Sequence, residues 1–153
     1  MKLSTTLAMS ALALVTLSAC GHEFHPPEEE ERIAAAELIY APALFDSVTW
    51  ESDSIRAMDG NLVYAESCTR CHGPMGRGET DYARQRELEV PSLVEPEWAL
   101  ANLDTLRHII FVGHTGGMPI FGASGATPRQ IDASAFYVLE VLRPDAMAEA
   151  AGG

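Results

Sequence analysis

Five consecutive residues, Cys68-Thr69-Arg70-Cys71-His72, constrain this chain more than any other feature. Cysteines three apart on one helical turn face the same way, and the residue after the second projects across from both. Such a pattern suits covalent haem attachment: two thiols reach the vinyl groups on one macrocycle edge, and the histidine approaches the iron as an axial ligand. Two other uses of a Cys-x-x-Cys compete with it. A structural zinc site needs two further Cys or His ligands at close spacing, and His22, His25, His108 and His114 supply no obvious second half. A thioredoxin-like thiol pair needs a strand just before it, and Gly60 to Ser67 has no strand alternation.

With 153 residues the chain has room for one domain plus a leader or tail. Its three cysteines leave no disulfide framework, because two belong to the haem motif and the third, Cys20, ends an apolar N-terminal run. Residues 1–19 have the parts of a secretory signal peptide: a basic start at Lys2, an apolar core from Leu7 to Leu17, and small residues before the cut. Leu17-Ser18-Ala19-Cys20 resembles the bacterial lipobox, which makes Cys20 a lipidation site and the first residue of the mature protein. The competing reading is an ordinary signal peptide with an incidental cysteine. Two or more acyl chains on Cys20 would anchor the protein stably. Covalent haem attachment in bacteria takes place outside the cytoplasm, so leader and motif agree on an extracytoplasmic, periplasmic-side location.

From Cys20 onward nine arginines face 22 acidic residues, a formal charge of −13. Nucleic acid is therefore excluded as a partner. The acidity suits a redox partner with a basic docking patch, since complementary fields raise encounter rates; it equally suits simple solubility. Residues 20–53 read as a lipidated N-terminus, an acidic Pro/Glu-rich spacer and an N-terminal extension. Arg32 to Tyr40 favours a short helix that Pro42 interrupts, and Leu44 to Trp50 is expected to pack on the haem domain. That domain spans 54–145, and the Ala-rich tail, 146–153, is expected to fray.

Met58, Leu62 and Ala65 fall at helical spacing and predict the buried stripe of a helix running into Cys68. The segment from Gly60 to Gly73 resembles the first helix and haem-binding segment of class I (monohaem) c-type cytochromes, with a glycine eight and an aromatic four residues before the first cysteine. The resemblance implies that this helix crosses the C-terminal one closely, with Gly60 near Tyr137 or Phe136. Pro91-Ser92-Leu93 resembles the family's loop over the proximal haem face. Pro91 and Leu93 are then haem contacts, and a proline carbonyl there would fix the ligand histidine.

Asn102 suits the N-cap of a helix reaching about Val112, with Leu103, Leu106 and Ile110 buried and His108 off that stripe. Then comes Gly113-His114-Thr115-Gly116-Gly117-Met118-Pro119, where glycines let the backbone turn against a flat cofactor and Pro119 stiffens the chain beyond the methionine. In class I cytochromes a Met-Pro pair after such a turn carries the sixth ligand. Met118 lies 46 residues after His72, enough to cross to the other face. His114 is a second candidate, and an open sixth position a third. Met58, Met75 and Met147 read instead as core filling. Thr127-Pro128-Arg129-Gln130 opens the last helix with a capping box, and its apolar face is Ile131, Ala135, Val138, Leu139 and Leu142. Pro144 is expected to end it.

The resemblance covers about 58–143. It implies an all-α cytochrome c fold of three to five helices around one covalently bound haem c, with Cys68 and Cys71 as thioethers and His72 and Met118 on the iron. The function expected is single-electron transfer between redox partners in a respiratory or photosynthetic chain. The protein would be a membrane-tethered carrier or a haem subunit of a larger oxidoreductase complex, not itself an enzyme. A haem-based ligand-binding or sensor protein, whose sixth ligand is absent or displaceable, is the alternative.

Overall fold

Helix starts in this chain are set by short polar side chains that accept from otherwise unpaired N–H groups. Ser52 Oγ accepts from the Ile55 amide at 3.3 Å, and Thr80 Oγ1 from that of Ala83 at 3.0 Å. Asn102 Oδ1 accepts from the Thr105 amide at 2.9 Å. Thr127 and Gln130 exchange side-chain-to-backbone bonds of 3.2 and 2.9 Å, the reciprocal box that their spacing predicts. The computed structural model describes residues 25–95 and 102–152, and the signal peptide and Cys20 lie outside that range.

The helices are α1 (Glu29–Ile39), α2 (Asp53–Ser67), α3 (Thr69–His72), α4 (Asp81–Gln85), α5 (Leu103–Val112), α6 (Pro128–Tyr137) and α7 (Arg143–Gly152). A 3₁₀ turn spans Pro42–Phe45, and Val138–Leu142 is wound as a π-helix. The fold is all-α, with no strand among the described residues beyond a single bridge between His114 and Met118. There are more segments than the three to five helices expected, because α1 belongs to the extension and α3 and α4 are only one turn or so long.

Helix α2 crosses α6 at Gly60, where a Cβ would lie 2.1 Å from the Ala133 carbonyl oxygen and 2.7 Å from Tyr137 Cβ. The expected pairing with Tyr137 is therefore present, and Gly60 is what allows it. One apolar cluster joins Tyr64, Leu106, Ala135, Val138 and Leu142. A second joins Ala36 of α1 and Phe45 of the 3₁₀ turn to Phe111, Val112 and Ile131. The N-terminal extension thus supplies part of the core, and the helix begins earlier than the solvated spacer allowed, with Glu28 and Glu31 forming its capping box.

Between these clusters lies a group with no apolar signature. Asp132, 0% exposed, accepts from Trp50 Nε1 at 2.6 Å, from Arg56 Nε and Nη2 at 2.9 and 2.6 Å, and from Arg107 Nε at 2.9 Å and Nη2. A buried carboxylate is tolerated only when paired and hydrogen-bonded in this way. Burial alone would push its carboxyl up, but the bonds from Arg107, Arg56 and Trp50 outweigh it and hold Asp132 below the usual carboxylate range.

Three expectations fail. Met58 and Leu62 are more than half exposed and Ala65 is exposed, while Gly60 and Tyr64 are the buried residues of α2. The helix turns toward α6 the face that carries a glycine and an arginine, Arg56, whose partner is Asp132. Met147 is likewise 58% exposed, so neither it nor Met58 fills the core. Finally, the chain does not stop at Pro144: α7 continues to Gly152, where an ended helix and a frayed tail were expected. Pro144 lies in the first turn of α7, directly after the π-wound residues. Proline is tolerated in the first turn of a helix, where its missing N–H costs least.

Candidate functional site

Helix α2 delivers the haem motif. Cys68 is both its C-cap and the N-cap of α3, so Cys71 and His72 follow in one short turn. The motif is tied down from several sides. Tyr64 Oη donates to the Gly73 carbonyl at 2.7 Å, and Gly78 N–H to the His72 carbonyl at 2.9 Å. Thr80 Oγ1 donates to the carbonyls of Arg70 and Cys71 at 3.0 and 3.3 Å. The tyrosine is buried, and its ring lies 5.5 Å from that of Tyr137.

The turn after the motif also places the next wall. Leu93 N–H donates to the Gly76 carbonyl at 2.7 Å. Gly78, at φ +77°, leaves space that a Cβ would fill 2.6 Å from the Val90 carbonyl oxygen. Residues 90–93 therefore sit against 76–78, a few residues beyond His72. Helix α5 ends at Gly113 (φ +74°), and Gly116 and Gly117, at φ +104° and +98°, turn the chain before Met118, which lines the same pocket as His72.

These walls enclose one pocket of about 820 Å³, counting its mouth. Cys68, Cys71, His72, Pro91, Leu93 and Met118, every haem-site residue expected from the sequence, line it together with His114. The rest of the lining is largely apolar, from Leu88 and Val90 through Leu106, Ile109 and Ile110 to Phe121 and Val138. Sequence reading did not single out the Leu88, Ile109 and Phe121 contributions.

The chemistry of the pocket fits a haem. Cys68 and Cys71 carry free thiols, and burial, with Cys71 beside it, pushes the Cys68 thiol up to about 12. His72 is 8% exposed, and its Nδ1 has no hydrogen-bond partner by geometry. Burial and the nearby His114 lower its pKa, against a smaller raising effect of the Pro91 backbone. Pro91 and His72 line the same pocket, without a formed hydrogen bond between them. The imidazole is thus held in the neutral form that binds metal. Among the described residues no group of three or more His, Cys, Asp or Glu is placed to hold a metal ion, and His22 lies outside those residues. A thioredoxin-like surround is absent as well, since no strand precedes the cysteines among the described residues. An apolar pocket lined by two thiols, the His72 and His114 imidazoles and the Met118 thioether suits a flat macrocycle bonded at its edge and ligated through its iron.

Residues 55–138 match the family described as cytochrome C oxidase, cbb3-type, subunit III. The chain is 27% identical to the cbb3-type cytochrome c oxidase subunit CcoP of Rubrivivax gelatinosus over 119 residues, which is 76% of this chain and 36% of that protein. It is 34% identical to the subunit of the same name from Rhodobacter capsulatus over 94 residues, 57% of this chain and 30% of that one. The chain therefore spans about a third of the length of these relatives. No solved structure matches it significantly.

Proposed function

Because this chain belongs to the cytochrome c oxidase, cbb3-type, subunit III family, we propose that it is an electron-transfer cytochrome c domain carrying one haem c, with His72 and Met118 as axial ligands. The observation that carries this reading is the convergence of Cys68, Cys71, His72 and Met118 on one apolar pocket. When bound, the haem supplies a one-electron couple. The chain's own residues determine how that couple is used. The two thiols, held by the bonds of Tyr64 and Thr80, fix the macrocycle edge to α2 and α3. Pro91 lines the same pocket as His72, where its carbonyl would orient the ring. His72 and Met118 would hold the haem iron; that ligand pair raises the reduction potential and would leave no position for a substrate. The domain carries electrons and is not itself a catalyst.

Its relatives are named as oxidase subunits, and by that likeness its partner is a cbb3-type oxidase or a redox protein feeding one. The formal charge of −13 from Cys20 onward favours a partner with a basic docking face. A lipid on Cys20 would tether the domain to the periplasmic side of a membrane; no described helix is long and apolar enough to cross one. A second reading, a haem sensor with a displaceable sixth ligand, draws on His114, which shares the pocket with Met118.

Carbon monoxide binding to the ferrous protein at neutral pH separates the two. The carrier reading expects none on the timescale of mixing. Rapid, stoichiometric binding would contradict it and favour the sensor.

A further inference from the structure

The N-terminal extension reaches the turn that carries Met118. The Gly117 amide, one residue before the proposed ligand, donates to Glu29 Oε1 at 3.2 Å, across 88 residues of sequence. Gly117 holds φ +98°, a left-handed conformation that suits glycine, and its amide is directed at Glu29. The carboxylate is itself held in place. Glu29 opens α1, whose other end is fastened to α5: Glu37 Oε2 lies 2.8 Å from His108 Nε2, and the Tyr40 ring stands edge-on to that of Phe111 at 5.4 Å. α1 therefore bridges α5, which lines the pocket, and the turn that carries Met118.

We infer that Glu29 is a positioning residue for the sixth ligand: its carboxylate latches the Gly116-Gly117-Met118 turn and slows release of the thioether from the iron. The inference rests on Met118 being that ligand. Two successive glycines make the turn easy to deform, and a charge-assisted bond to its backbone is the kind of restraint that limits opening. The extension would then set how readily the iron exchanges its ligand, as well as completing the core.

The test uses the full-length, haem-loaded ferric protein and imidazole as the entering ligand. Its readout is the rate at which the far-red sulfur-to-iron band disappears. Glu29→Ala is expected to speed displacement about three- to ten-fold, the scale of one exposed charge-assisted hydrogen bond. Glu29→Gln keeps the acceptor oxygen and should stay near the unaltered rate, and Glu30→Ala, a neighbouring exposed acid, should match it. An unchanged rate in Glu29→Ala, or a Glu29→Gln rate equal to that of Glu29→Ala, overturns the latch while leaving Met118 ligation standing. Absence of the band from the unaltered protein overturns both.

Discussion

Gly60 and Ala133 approach so closely that the glycine's missing Cβ would stand 2.1 Å from the alanine carbonyl oxygen. The haem motif hangs from the end of α2, so this crossing sets where Cys68 and Cys71 lie relative to α6 and to Val138 just beyond it. Gly60→Ala should force the helices apart and cost about 3 kcal/mol, the upper range for overpacking a close contact. Guanidinium denaturation of the holoprotein, followed by far-UV circular dichroism, checks this as a fall in the midpoint without a change in slope.

Asp132 joins α6 to α2, α5 and the extension through Arg56, Arg107 and Trp50. Asp132→Asn leaves two guanidinium groups without their carboxylate, and the expected cost is about 3–5 kcal/mol, as for removing one partner of a buried pair. Arg56→Ala should cost less, because Arg107 and Trp50 still satisfy the carboxylate. Denaturation midpoints of the two variants, measured beside the unaltered protein, check the order.

The same residue gives a pH dependence. Its folded pKa lies below the unfolded value, so its stabilising contribution is complete above the unfolded pKa of about 4 and is lost as pH falls through the folded one. Denaturation midpoints of the unaltered protein should therefore drop steeply below about pH 4. In Asp132→Asn that share of the dependence should vanish, with the gap between the two proteins narrowing toward low pH.

Phe45, 5% exposed, packs in one cluster with Phe111 and Ile131. Phe45→Ala should cost about 3–4 kcal/mol through the cavity it leaves. Since Phe45 does not line the pocket, the optical spectrum of the haem protein should not move. A melting curve and a visible spectrum recorded on the same sample check both statements.

The features legible in the sequence were the local ones. The haem motif, the Met-Pro turn, the Asn102 cap and the bounds of α5 depend on residues within a few positions of one another, and the structure has α5 at Leu103–Val112 as expected. The buried face of α2 was misread because its decisive contact is a glycine, which carries no hydropathy signal, flanked by an arginine whose burial makes sense only beside Asp132. That pairing spans 76 residues and leaves no periodic trace. Pro144 misled for a different reason. A proline ordinarily ends a helix, but Pro144 falls in the first turn of α7, directly after the π-wound residues, where proline is tolerated. The reach of Glu29 to Gly117 had no sequence signal either, since one glutamate in an acidic run resembles its neighbours.

The most direct measurement is the far-red sulfur-to-iron charge-transfer band of the purified ferric protein, recorded beside Met118→Ala and His114→Ala. Ligation by His72 and Met118 predicts the band in the unaltered protein and in His114→Ala, and its loss in Met118→Ala. Absence of the band from the unaltered protein, or its survival in Met118→Ala, would contradict that ligand set and with it the closed-iron electron carrier.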